Sequence, residues 1–200
     1  MPGSQSMSKL SLRDHLVTGR NRVSLPERQD RARAVTAALL AAPEVQRAAT
    51  VAAYVSMGSE PATGPLLHAL RSAGKRVILP VLLPDDDLDW AVYEGDDSLA
   101  PARLGLLEPT GRRLGTEAIA TADVVLVPGL AVSLDGARLG RGGGSYDRAL
   151  GRVPLGTFTC VLLHDEEVGL DVPVEPHDRR VVAAASPAGI TRLRRWPARG

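Results

Sequence analysis

Strand-length apolar runs recur along this chain: TVAAYVSM (50–57), KRVILPVLL (75–83), DLDWAVYE (87–94), ADVVLVPGLAVSLDG (122–136), TFTCVLLHD (157–165) and RRVVAAA (179–185). Several are separated by segments long enough for a helix, such as PATGPLLHALRSAG (61–74), which Gly74 closes. Nearly continuous apolar strands alternating with helices predict βαβ units and a parallel sheet with both faces covered. In the fourth run Pro128-Gly129 interrupts the strand, and a second short strand ends in an Asp-Gly turn. The Asp-rich DDDLD (85–89) reads as a turn, and SYDRALGRV (145–153) as a short helix. Ahead of the sheet, Leu10, Leu12, Leu16 and Val17 predict a helix over 8–20. Ser24 to Glu27 has the spacing of a capping box and opens a second helix that runs to Pro43. The expected fold is one α/β domain over 8–190, a mainly parallel sheet flanked by helices with an N-terminal helical hairpin. Residues 1–7 and 191–200 are expected to be flexible termini.

Composition narrows the function. The 24 Lys and Arg against 23 Asp and Glu leave a net charge of +1, short of the basic footprint of a nucleic-acid binder. No apolar run approaches the roughly 20 residues a membrane helix needs, and MPGSQSMSKLSLRDHL has no signal-peptide core, so a cytoplasmic location is expected. One cysteine, Cys160, rules out a disulfide framework and a multi-cysteine zinc site, and its apolar neighbours make it a core residue. Nothing argues for more than a monomer. The tail TRLRRWPARG is a solvated end or, as a minor alternative, an RNA or anion contact.

The chemistry concentrates in GARLGRGGGSYDR (136–148). It lacks the lysine of a Walker A loop, and Ser145 stands where a dinucleotide fingerprint needs its third glycine. Glycines ahead of a helix still expose backbone N–H groups to an anion, and Arg138 and Arg141 carry forks suited to phosphate. Asp147 would repel that phosphate unless a cation such as magnesium lay between them. The residues alone leave two readings: a phosphate cradle, or a plain Gly-rich turn with Asp147 opening a helix.

The whole string RLGRGGGSYDR (138–148) resembles the R-L-G-[RK]-G-x-G-x-Y-D-R signature of the 5-formyltetrahydrofolate cyclo-ligase family. Lys9, Leu12 and Arg13 match its K-x-x-L-R, and VAAYVSMGSE (51–60) its Y-x-S-x-x-x-E segment. VILP, the Trp90 strand, GLLEP (105–109), VLVPGLAVSLDG and VPVEPHD (172–178) follow in family order. The resemblance implies the fold shared by the sugar-phosphate isomerase and CoA-transferase-like group. It implies an enzyme that uses ATP and Mg²⁺ to convert 5-formyltetrahydrofolate to 5,10-methenyltetrahydrofolate, its partners being these small molecules.

By the same resemblance, Lys9 and Arg13 reach the ATP phosphates, while Arg138, Leu139, Gly140, Arg141, Gly142, Gly143, Gly144, Ser145 and Tyr146 cradle them. Arg141, Tyr146 and Asp147 are the catalytic candidates, and Asp147 and Asp178 the magnesium ligands. Val55, Met57, Glu60 and Ser145 line the folate pocket, and Trp90 stacks near the pterin or fills the core. Each has a plainer alternative: Lys9 and Arg13 a solvated face, Glu60 the start of the next helix, Asp178 a turn. Ser145 stands where the family commonly has an aromatic, which motivates an alternative function as an ATP- or folate-binding module without turnover.

Overall fold

In the computed structural model, which describes residues 8–194, helices α1 (Lys9–Asn21), α2 (Leu25–Ala41) and α3 (Pro43–Arg47) precede the sheet. Then come β1 (Thr50–Ala52), α4 (Gly64–Ser72), β2 (Arg76–Leu82), β3 (Leu88–Val92), β4 (Leu99–Pro101) and β5 (Leu107–Pro109). The second half contains β6 (Val124–Pro128), β7 (Ala131–Val132), β8 (Arg138–Leu139), α5 (Ser145–Leu150), β9 (Phe158–Leu162), β10 (Ala183–Ser186) and β11 (Gly189–Arg192).

The main sheet has the order β11-β10-β9-β6-β1-β2-β3. Its interior pairings are parallel, and β3 and β11 form antiparallel edges. β4–β5 and β7–β8 form separate two-stranded ribbons. Alternation along the strands assigns the two cores. Val51, Val77, Leu79, Leu126, Cys160 and Leu162 face α2 and α4 through Val35, Leu39, Leu66, Leu67 and Leu70. Ala52, Ile78, Trp90, Val125, Val127 and Val161 face the other way, onto Ile119, Ala149 and Leu150. Each fully buried leucine of α2 and α4 contributes about 1.5–3 kcal/mol.

The expected parallel sheet is present, with differences at the ends. The sheet continues past residue 190: β11 runs to Arg192, Leu193 is buried, and Arg192 pairs with Glu44 at 2.8 Å. Residues 191–194 therefore belong to the domain, and the expectations for 1–7 and 195–200 lie outside the described residues. Pro43 opens α3 because its fixed φ suits the first helical turn. Ser24 does cap α2, accepting from Glu27 N–H at 3.4 Å, but the Glu27 side chain pairs with Arg31. The two N-terminal helices also diverge. α2 joins the sheet core, whereas α1 lays Leu12 and Leu16 on Leu130, Ala131 and Leu139 around the β7–β8 ribbon. Among the described residues no helix is long and apolar enough to cross a membrane.

Candidate active site

The sheet reverses its order between β1 and β6: the chain leaves β1 toward β2 on one side and returns at β6 on the other. Helices diverge at such a point and leave a crevice beyond the strands' carboxyl ends. A cavity of about 350 Å³ opens there, lined by Tyr54 and Val55 after β1, Pro80 and Leu82 of β2, and Pro128 and Gly129 at the end of β6. The glycine loop and the start of α5 form one wall. Leu88 and the β4–β5 leucines Leu106 and Leu107 form an apolar wall.

Sterics shape the loop. Gly144 caps α5 with φ 72°, a left-handed conformation that other L-residues rarely adopt. Gly140 lies against the Arg138 guanidinium, and a Cβ there would come within 2.8 Å of Nη1. Arg138 is correspondingly buried. It donates from Nη1 to Pro128 O at 3.0 Å and from Nη2 toward Asp147 Oδ2 at 3.3 Å, and its guanidinium lies 5.9 Å from the Tyr146 ring centre. Arg138 thus braces the loop from below instead of presenting its fork to a phosphate. Leu139, expected among the ATP contacts, turns its side chain into the core beside Leu12 and Leu16, so its place at the cavity is that of a strand residue. α5 is only six residues long, so the positive character of this end comes chiefly from side chains.

Those side chains are delivered by α1. Lys9 and Arg13 are one turn apart on the same face, and both turn inward. Arg13 Nε donates to Gly140 O at 2.8 Å, placing a guanidinium across the glycine loop. Lys9 Nζ donates to Glu175 at 2.6 Å and to Asp178 at 2.7 Å. Burial works against the Lys9 ammonium, but its hydrogen bonds to Asp178 and Glu175 outweigh that and raise its pKa. Burial likewise works against the Asp178 carboxylate, and the Lys9 hydrogen bond, the Glu175 N–H and the Lys9 and His177 charges together outweigh it and lower the pKa. The plain solvated face is therefore not what these two residues form.

Asp147 and Asp178 enter the same cavity from neighbouring backbone: Asp147 Oδ1 accepts from the N–H of Arg179, the residue after Asp178, at 3.0 Å. Each carboxylate is engaged by its own cation, Arg138 for Asp147 and Lys9 for Asp178. Glu175, His177 and Asp178 place ligand-type atoms within 4.8 Å of one another, a grouping that does not include Asp147. Two carboxylates without thiols or buried imidazoles form a hard-oxygen donor set, which suits magnesium.

Across the cavity, Glu60 Oε2 accepts from Met57 N–H at 2.8 Å, and Oε1 takes Arg141 Nε at 3.1 Å. Its side chain is 8% exposed, whereas that of Arg141 is 52% exposed. Glu60 does not serve the next helix, whose N-cap is Thr63. Burial, reinforced by the Glu60 charge, raises the pKa of the Tyr146 hydroxyl, which therefore stays protonated.

Lys9, Arg13, Val55, Met57, Glu60, Arg138 through Asp147 and Asp178 thus all line one cavity. Trp90 does not. It lies on the same face of the sheet as the lining residue Leu88 and its register partner Pro80, but it is 1% exposed and packs in the core with Ile78, Ile119 and Leu150, so it fills core space. Sequence reasoning did not single out Tyr54, Glu175 or the apolar wall. Only the position of GLLEP in the chain order hinted at Leu106 and Leu107.

Comparison with known proteins identifies the family. The family model described as the 5-formyltetrahydrofolate cyclo-ligase family matches residues 5–187. The 5-formyltetrahydrofolate cyclo-ligase of Mycolicibacterium smegmatis is 40% identical over 94% of this chain and 98% of its own length. That of Escherichia coli K12 is 32% identical over 88% and 98%. The solved structure of Aquifex aeolicus 5,10-methenyltetrahydrofolate synthetase superposes with a TM-score of 0.81 at 28% identity, covering 97% of both chains. With a cavity that gathers the signature loop, the α1 cations and both signature carboxylates, the chain belongs to the 5-formyltetrahydrofolate cyclo-ligase family.

Proposed function

We propose that this chain converts 5-formyltetrahydrofolate to 5,10-methenyltetrahydrofolate at the expense of ATP, releasing ADP and phosphate. One observation carries the reading: the RLGRGGGSYDR loop and Glu60 line a single cavity, so a nucleotide-type anion site and an acceptor for a pterin's N–H groups face each other. The apolar wall of Leu88, Leu106 and Leu107 suits the aromatic ring that follows the pterin.

An N-formyl oxygen is a poor leaving group. Transfer of the γ-phosphoryl group to it, with cleavage of the bond to ADP, turns it into one. N10 then attacks the formyl carbon, inorganic phosphate departs with the former formyl oxygen, and N10 loses its proton. Such chemistry needs positioning and charge neutralisation more than a protein nucleophile. Arg13 lies across the loop as a fixed cation, and Arg141, half-exposed, can turn from Glu60 to a phosphate oxygen. Lys9 can exchange a carboxylate for phosphate in the same way. Tyr146, held protonated, is a donor and not a base. Asp147 and Asp178 are the residues that would hold magnesium, which when bound shields phosphate charge from them.

The test is the growth of methenyl-folate absorbance with purified protein, 5-formyltetrahydrofolate and MgATP, against a control lacking ATP. ATP-dependent growth is expected. Its absence from folded protein that binds ATP would overturn the reading and leave the alternative of a binding module.

A further inference from the structure

Glu60 and Arg141 stand on different walls of the cavity and are bound to each other. Glu60 is the fixed member. A tight turn folds its segment back: Glu60 N–H donates to Met57 O at 3.0 Å and Met57 N–H to Glu60 Oε2 at 2.8 Å, with Gly58 between them at φ 54°. A carboxylate so little exposed needs a donor on its other oxygen as well. Arg141 Nε supplies it at 3.1 Å. Arg141 is the movable member. It sits between Gly140 and Gly142, its side chain is half-exposed, and Glu60 is its one ion-pair partner among the described residues. The other cations at this end are committed elsewhere: Arg13 to Gly140 O, Arg138 to Pro128 O and Asp147, Lys9 to Glu175 and Asp178. Arg141 alone therefore joins the glycine loop to the wall that carries Glu60.

We propose that this ion pair is a latch shared by the two substrate sites, so that ATP and 5-formyltetrahydrofolate each favour the binding of the other. This rests on the cyclo-ligase reading and adds how the two halves of the site communicate. In the unliganded protein each group occupies its partner's ligand position. The guanidinium sits on an oxygen that a pterin N–H needs, and the carboxylate holds the cation that a phosphate oxygen needs. Whichever substrate arrives first parts the pair, and the second finds its group already free. A pterin on Glu60 releases Arg141 toward phosphate; a phosphate on Arg141 leaves a nearly buried carboxylate in want of donors. Linkage requires the same factor in both directions, and the worth of a half-exposed ion pair limits it to roughly two- to fivefold. The same logic fixes the sign for loss of the arginine. Folate then has no guanidinium to displace, and without nucleotide it binds more tightly.

Calorimetry tests this by measuring 5-formyltetrahydrofolate binding to wild type and to Arg141→Ala, each with and without saturating magnesium and β,γ-methylene ATP. Wild type is expected to bind folate roughly two- to fivefold more tightly when the nucleotide analogue is present. Without nucleotide, Arg141→Ala is expected to exceed wild type in folate affinity by about the same factor, and to gain nothing when the analogue is added. Equal folate affinity of wild type with and without the analogue overturns the proposal. So does weaker folate binding by the variant, which would make Arg141 a folate contact, or a gain that survives in the variant, which would place the coupling elsewhere. Wild type that binds no folate overturns the cyclo-ligase reading and the proposal with it, whereas independent binding of both substrates overturns the latch and leaves that reading standing.

Discussion

Arg20 and Arg138 both reach the same two-residue stretch at the end of β6, and they are held in opposite ways. Arg20 donates to Gly129 O at 2.7 Å and closes a fork on Glu167 at 2.6 and 2.7 Å, with both side chains at most 2% exposed. Glu167 also accepts from His164 N–H at 2.9 Å, leaving little capacity for anything else. Arg138 donates to the neighbouring Pro128 O, but reaches its carboxylate, Asp147, through a single longer contact. A closed, bidentate pair fixes α1 to the sheet. A loose pair at the cavity wall leaves Asp147 able to change partners. Pair geometry therefore separates architecture from chemistry where burial alone does not.

Breaking the closed pair has the largest expected effect. Arg20→Met leaves Glu167 buried without its cation, and loss of one member of such a pair costs about 3–5 kcal/mol. Urea denaturation checks the size, and Arg20→Met combined with Glu167→Leu should recover much of it, since a buried pair replaced by apolar residues is often neutral. A double variant as unstable as the single one would mean that the Gly129 contact, and not the ion pair, holds α1.

The loose pair should respond in the other currency. Asp147→Asn retains an oxygen to accept from Arg179 N–H but gives up the charge. Turnover should fall roughly 10²-fold or more, the scale of losing one electrostatic group at a reacting centre, with a melting temperature close to wild type and an altered magnesium dependence. A variant that unfolds like Arg20→Met would make Arg138–Asp147 a second architectural pair and erase the contrast.

Arg141 sharpens the same distinction at the cavity's exposed side. Its pairing with Glu60 involves a half-exposed guanidinium, so the pair adds little stability. Arg141→Ala should leave unfolding unchanged and raise the KM for ATP by roughly ten- to a hundredfold, the loss of about 1.5–3 kcal/mol from one charged hydrogen bond. A larger effect on the folate KM would place Arg141 on the pterin side.

These contrasts mark what was legible in the sequence. Parallel strands were, because runs such as VVLVP bury side chains on both faces. The signature loop was, because its glycines and charges are contiguous. Trp90 was misplaced because strand periodicity gives its face, which it shares with Leu88, without saying whether that position is covered; Ile119 and Leu150, both distant in sequence, decide it. Arg20 and Glu167 lie far apart in sequence, and nothing local distinguishes them from surface charges. Arg138 looked like a phosphate ligand because it stands at the start of the glycine loop with Arg141, and only the packing against Gly140 shows it lying underneath. Tyr54 sits inside VAAYVSMGSE, but that its buried hydroxyl lacks a partner is a property of the packed state alone.

The smallest expected effect concerns Lys9 and Asp178, a pair whose cation is more exposed than that of either arginine pair. Burial opposes the Asp178 charge, and the Lys9 hydrogen bond together with the Glu175 N–H and the Lys9 and His177 charges overcomes it, so the folded pKa lies below the ordinary carboxylate value. Between about pH 4 and the folded pKa, the unfolded chain takes up a proton that the folded chain refuses. The stabilisation is therefore full above that window and is lost as pH falls through it. Lys9 shows the reverse sign, its raised pKa giving stabilisation that persists through neutrality and is lost only as pH rises beyond the ordinary lysine value. Urea denaturation from pH 5.5 down to about pH 3 should show wild type losing stability more steeply than Lys9→Met, with the two curves converging at the acid end. Parallel curves would mean that Lys9 is solvated and that Asp178 already stands free for another cation, which would move this carboxylate from the closed class of pairs to the open one.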